Sequence, residues 1–301
     1  MATGRSHSSD STGSGSTELG VDARWRVILR RLGQNRFAIF GMCIVVLLII
    51  VALFAPFIAP NSPSAQHYDA LKQPPSLEHP FGTDAYGRDV FSRVVYGSQY
   101  TVFLGVVIVG IQMLIGISLG LIAGYYGGYV ESFIMRLVDI SLSIPAIVLA
   151  LAIAGTLGGG LLPLVIAVSL VGWRGFARLV RGDVKSIMEE EYIDAAHAAG
   201  VSDIRVILRY LLPNAASSII VYATLTIPTV VLWSAALSFL GMGVQPPKPE
   251  WGALISAGRG DIDSAWWIAT FPGLAIMFTV IGFNAFGDGL RDALDPKQAR
   301  N

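Results

Sequence analysis

Six stretches of roughly 20 residues, apolar and poor in charge, dominate the sequence and leave few folds open to it. A helix rising 1.5 Å per residue needs about 20 residues to cross about 30 Å of hydrocarbon, a length no soluble core helix requires. The stretches fall at 37–58, 102–123, 132–154, 162–179, 216–240 and 266–286. The expected fold class is therefore an all-α membrane protein with about six transmembrane helices. Within the first stretch, residues 44–51 alone contribute about −2 to −5 kcal/mol toward insertion. Charged residues make up 14% of the chain, well below the roughly 25% of a soluble domain.

Residues 1 to about 20 are rich in Ser, Thr and Gly, too polar to offset the entropy of ordering, and read as a disordered tail. Arg24, Arg26, Arg30, Arg31 and Arg36 then lead into the first span. A secretory signal would carry an apolar region of about 7–15 residues near the N-terminus, so an uncleaved anchor is expected. Of the 21 Lys and Arg, 16 lie before the first span, at Arg136, from Arg174 to Arg209, or in the C-terminal tail. Basic residues accumulate on cytoplasmic segments, so both termini are expected there. The division that follows is a cytoplasmic segment 1–36, a first helix 37–58, an extracytoplasmic loop 59–100, a five-helix core 101–290 and a cytoplasmic tail 291–301. The core includes a cytoplasmic loop at 182–215.

Lys plus Arg and Asp plus Glu both number 21, so net charge makes no case for nucleic acid as a partner. The single Cys43 allows neither an internal disulfide nor a cysteine-based zinc site. His7, His67, His79 and His197 all lie outside the spans, and no H-E-x-x-H occurs, which argues against an intramembrane hydrolase. An ion-driven transporter would want several ionisable groups at the membrane midplane, and the spans hold few. A G-x-x-x-x-G-K-[ST] loop for nucleotide phosphates is also absent.

Gly116, Gly120 and Gly124 recur every fourth residue and leave a groove on one helix face for a close neighbour. Pro145, Pro163, Pro228 and Pro272 lie in or near spans, where a missing backbone donor can kink a helix. Arg136 and Asp139 stand at i and i+3 and are expected to pair.

The loop after the fourth span is the most distinctive segment. Residues 192–199 favour a helix, Gly200 can stop it, and Ser202 can cap a second helix reaching Leu212. Ala195, Ala196 and Ala199 offer a face without bulk, suited to a groove on another protein. Ile204, Ile207, Leu208 and Leu211 form an apolar stripe for burial.

This loop resembles the coupling motif of permease subunits of binding-protein-dependent ABC importers: EAA, three residues, G, nine residues, I-x-L-P. Asp194-Ala195-Ala196, Gly200 and Leu212-Pro213 match it, with Asp194 in place of Glu and Tyr210 in place of Ile. His79, Gly82, Thr83, Asp84, Gly87, Arg88, Asp89, Ser92 and Arg93 are similar to the signature of the dipeptide, oligopeptide and nickel branch, in its second permease. Segments 238–247, 251–252 and 284–296 extend the resemblance over nearly the whole chain after residue 24.

The resemblance implies a subunit that is not itself an enzyme and binds no cofactor. ATP and magnesium would act on two cytoplasmic ATPase partners, reached through Glu191, Tyr192, Asp194, Ala195, Ala196, Gly200, Leu212 and Pro213. A homologous permease would complete a heterodimer in the lipid bilayer. An extracytoplasmic binding protein would deliver the solute to the side marked by Gly82, Thr83, Asp84, Gly87, Arg88 and Asp89. Peptide is the expected solute. Nickel or another small solute in the same architecture remains open, as does ion-driven transport.

Overall fold

The computed structural model describes Arg30 and residues 32–294, and the expected N-terminal tail, like the end of the C-terminal tail, lies outside them. Among the described residues regular structure is helical, apart from one isolated bridge between Thr83 and Asp89. In chain order the helices are α1 Arg36–Leu53, α2 Ala55–Ile58, α3 Val90–Tyr126, α4 Gly128–Ser143, α5 Ala146–Thr156, α6 Leu161–Met188 and α7 Glu191–Ala198. They continue with α8 Asp203–Val206, α9 Leu212–Phe239, α10 Trp251–Gly258 and α11 Trp267–Leu294. Among the described residues five helices are long and apolar enough to span a membrane, and α4 and α5 reach that length only together, as a bent pair.

Side chains of almost no bulk set the closest contacts. A Cβ built on Gly116 would lie 2.4 Å from Phe176 Cβ, one on Gly120 2.8 Å from Val180 Cβ, and one on Gly124 2.7 Å from Val184 Cβ. Both residue numbers rise by four at each step, so α3 and α6 run parallel with the glycine groove of α3 filled by α6. Gly41 and Gly289 do the same between α1 and α11, where an added Cβ would meet Phe286 N at 2.4 Å and Ala38 Cβ at 2.2 Å. The first and last spans are thus antiparallel neighbours.

The structure changes several expected boundaries. Helix α3 begins at Val90, inside the expected loop 59–100, because the Asp89 carboxylate accepts the Ser92 N–H and starts the helix there. The stretch expected as one span at 132–154 is broken by 91° between α4 and α5. Ile144 is extended (φ −96°, ψ 131°), the conformation that a following proline favours. Pro145 has no N–H for the Ser141 carbonyl, and Arg174 of α6 supplies the missing donor, bonding the Ser141 carbonyl and, at 3.1 Å, its hydroxyl. Arg174, 7% exposed, is therefore a buried helix residue and not part of an extramembrane basic stretch.

The expected Arg136–Asp139 pair does not form. Asp139 instead meets Arg178 of α6 at 2.5 Å, and Glu131 at the start of α4 accepts from Arg181 and from Lys185 at 3.1 Å. Ion pairing across helices thus replaces pairing along one. The loop expected at 182–215 shrinks to 189–202, since α6 runs to Met188 and α8 continues through a π-helical turn, Ile207–Leu211, straight into α9.

Candidate functional site

At the end of the bundle where α6 stops, α7 folds back under it. Ile193 of α7 is fully buried in a cluster with Val180 and Val184 of α6 and with Val206, Leu211 and Ala215. Its C-terminus closes as a Schellman turn: Val201 N–H donates to Ala196 O at 3.1 Å and Gly200 N–H to His197 O at 2.9 Å. Gly200 holds φ +72°, a left-handed conformation that L side chains rarely adopt, while the space where its Cβ would stand is open. Its role in this turn is conformational. Ser202 occupies the N-cap of α8 as expected, but its side chain makes no capping bond.

The elbow has an inner and an outer face. Ala196 is only 7% exposed, packed inward, whereas Glu191, Tyr192, Asp194, Ala195, Ala199 and Gly200 face outward. The small-residue face expected at 195, 196 and 199 is therefore split. The apolar stripe is split as well: Leu211 is buried and Ile207 half-buried, and Ile204 is 69% exposed beside exposed Leu208. Continuation of α8 through a π turn, with its extra residue per turn, rotates the stripe out of register. Tyr192 stacks on Tyr210 with centroids 6.4 Å apart, and the Asn214 amide donates to the Tyr192 hydroxyl at 3.4 Å. Leu212 is half-buried and Pro213 exposed at the start of α9. Tyr125, at the end of α3, meets His197 of α7 at 3.3 Å. The elbow is thus tied to three spans while its outer face stays open.

The opposite end of the bundle carries the second motif, folded as a buried knot. The Asp84 carboxylate accepts from Arg88 Nε at 2.7 Å and from the backbone N–H groups of Tyr86 and Arg88. Asp89 caps α3 and faces His79 Nδ1 at 3.0 Å. The Thr83 hydroxyl donates to Ala70 O, and the Trp267 indole donates to Thr83 O at 3.0 Å. Gly82 and Gly87 both have positive φ, and a Cβ at Gly87 would lie 1.9 Å from His67 O. Thr83, Asp84, Arg88 and Asp89 are buried. These residues lock the loop onto α3 and α11.

Beside the knot, Trp251 of α10 packs on Gly97 and donates to Val94 O at 2.9 Å, while Gly252 packs on the Ala235 carbonyl. Glu250, 3% exposed and outside the spans, caps α10 by accepting the Ala253 N–H at 2.9 Å. Burial pushes its carboxyl above the usual carboxylate range, and the backbone N–H groups of Gly252 and Ala253 pull back only in part. Lys72 and Asp261 close the same end with a 2.7 Å ion pair.

Similarity to known proteins matches this architecture. Residues 116–300 match the family described as binding-protein-dependent transport system inner membrane component, and residues 23–75 match the N-terminal TM domain of oligopeptide transport permease C. The chain belongs to this family of permeases. Among the permeases it resembles, the dipeptide transport system permease protein DppC of Alkalihalophilus pseudofirmus is 46% identical over 91% of this chain and 90% of that protein. The glutathione transport system permease protein GsiD of Escherichia coli is 46% identical over 92% of each. An inward-facing structure of the MetNI methionine ABC transporter shares the fold, with a TM-score of 0.54 at 22% identity, covering 68% of this chain and 97% of that one. The permease is a multi-pass inner-membrane transport component of an importer type that works with ATPase and binding-protein partners.

The sequence pattern missed Leu179, Ser218, Tyr222 and Arg291 as a group, because they lie on three separate helices. The available signal was spacing: Gly175, Leu179 and Asp183 recur at four-residue intervals, as do Ser218 and Tyr222.

Proposed function

We propose that this chain forms half of the translocation pathway of an ATP-driven importer of dipeptides or other short peptides, paired with a related second permease. The observation that carries this reading is the elbow: its inner face is packed into three spans, and its outer face, formed by Glu191, Tyr192, Asp194, Ala195 and Gly200, is open at one end of the bundle. Such an element passes a push from an external partner into the helices. Two ATPase subunits, holding ATP and magnesium, are that partner, and Tyr192, Asp194 and Ala195 touch them. Ala196, Leu212 and Pro213 support the elbow from within or at its junction with α9.

The peptide assignment draws on the two permeases, for dipeptide and for glutathione, to which this chain is 46% identical. The elbow end is cytoplasmic because Arg181, Lys185, Arg205 and Arg209 gather around it, and basic residues accumulate on the cytoplasmic side. The knot around Gly82, Thr83, Asp84, Gly87, Arg88 and Asp89 supports the opposite surface, where the binding protein docks. The test is reconstitution of the complete importer in vesicles. ATP-dependent uptake of dialanine, abolished when the binding protein or the ATPases are omitted, is the expected result. Uptake of a nickel chelate with no peptide uptake would replace the substrate, and uptake that follows an ion gradient without ATP would replace the mechanism.

A further inference from the structure

Three helices part toward the elbow end of the bundle. On α6, Gly175, Leu179 and Asp183 share a face; on α9, Ser218, Tyr222 and Leu225 do; on α11, Gly287 and Arg291 do. The faces touch where glycines stand. A Cβ on Gly175 would lie 2.0 Å from the Tyr222 hydroxyl, and one on Gly287 2.6 Å from Leu225 Cδ2. One turn onward, larger side chains replace the glycines and the helices enclose a cleft of about 550 Å3. Phe176 meets Tyr222 edge-on at 4.8 Å and holds that wall in place.

The lining is amphipathic in a definite order. Leu179 and Leu225 supply apolar surface, Ser217, Ser218 and Tyr222 supply hydroxyls, and Arg291 brings a cation from α11. Asp183 is not itself part of the lining but adjoins it at Ser218, and its Oδ2 is closed off from solvent without a hydrogen-bond partner among the described residues. A buried acceptor left unpaired carries a desolvation penalty, which a donor from a bound molecule would relieve. A guanidinium is suited to bidentate recognition of a carboxylate. The volume lies within the roughly 300–1,000 Å3 of small-molecule sites.

We propose that this cleft is a solute subsite for a short zwitterionic peptide, Arg291 taking its carboxylate and Ser218, backed by the negative charge of Asp183, its ammonium group. This rests on the peptide-importer reading. The head group of phosphatidylethanolamine shares the pairing of an anion with an ammonium, so the test separates the two sources.

The permease–ATPase complex is placed in nanodiscs without binding protein, and binding of radiolabelled dialanine, its C-terminal amide and its N-acetyl form is measured by equilibrium dialysis. Dialanine is expected to bind at least about tenfold more tightly than either blocked form. Arg291→Gln is expected to bring dialanine down to the level of the amide without changing the amide, and Arg291→Lys to restore part of the difference. Asp183→Asn is expected to erase discrimination against the N-acetyl form, and it reads the proposal if the Arg291 variant does not assemble. Wild-type affinity in both variants, or an equal loss for all three compounds, overturns the proposal. So does dialanine binding that disappears when phosphatidylcholine in the discs is replaced by phosphatidylethanolamine, since the lipid then owns the cleft. Uptake of dialanine by the complete importer without cleft binding removes this inference alone, whereas absence of any peptide uptake removes the reading beneath it.

Discussion

At position 200 any L-residue would have to hold φ +72° to keep the Schellman turn, at a cost of about 1–2 kcal/mol. Gly200→Ala is therefore expected to loosen the elbow almost as much as Gly200→Trp, because the space outside the turn is open. The ratio of peptide taken up to ATP hydrolysed by reconstituted complexes checks this, and an alanine variant with normal coupling beside a failed tryptophan variant would point to crowding instead. The stop at Gly200 was legible in the sequence; its reason was not, since a motif letter does not say whether size or backbone angle is being specified. Ala196 makes the same point, because a run of small residues looks alike on both faces of a helix until the partner of one face is known.

Glu250 offers a pH dependence with a definite sign. Its carboxyl, raised by burial in the docked α10, binds a proton more tightly there than in an undocked chain, where it keeps the ordinary glutamate value. Docking of α10 is then strongest below that unperturbed value and weakens as pH rises through the raised one. Hydrogen exchange across residues 250–258 is expected to quicken over that interval, and Glu250→Gln is expected to flatten the profile. A Glu250→Gln profile identical to wild type would assign the dependence to another group.

Among the elements, the parallel contact of α3 with α6 was announced by Gly116, Gly120 and Gly124, and the structure fills that groove with Phe176, Val180 and Val184. Gly116→Ala is expected to destabilise the bundle by about 1–3 kcal/mol through overpacking, read as thermal unfolding in detergent. Gly110→Ala, on the same helix with nothing within 4 Å, is the control and is expected to be neutral or to stabilise by up to about 1 kcal/mol. The break between α4 and α5 was only half legible. Pro145 marks the place, but apolar length over 132–154 reads as one span, and the donor that stabilises the bend, Arg174, lies 33 residues from the Ser141 carbonyl it reaches. Arg174→Ala is expected to cost about 1–3 kcal/mol by orphaning that carbonyl. Arg174→Lys is expected to recover part of it, both measured by the same melt. The Arg136–Asp139 expectation failed for a related reason: spacing along a helix identifies possible neighbours, and tertiary packing brought Asp139 to Arg178 instead.

For the whole molecule, the count and order of spans followed from hydrophobic length, and the family followed from motifs at both ends of the bundle. What stayed hidden was everything made by three helices at once, the cleft around Tyr222 above all. A cysteine at position 195 is expected to cross-link to the ATPase in some nucleotide state, and one at position 196 is not, because Ala196 faces its own bundle. Equal cross-linking at both positions would mean that the elbow unpacks on assembly.

The glycine groove also bears on how the two ends communicate. With α3 bare of side chains at Gly116, Gly120 and Gly124, the Cβ atoms of Phe176, Val180 and Val184 sit directly against its backbone, so α3 and α6 are expected to turn as one shaft. Torque applied where Val184 meets Gly124 emerges at the far tip of α3, where Gly97 lies under Trp251. A door hung on that tip, the short helix beginning at Trp251, would swing whenever the shaft is twisted from the other end.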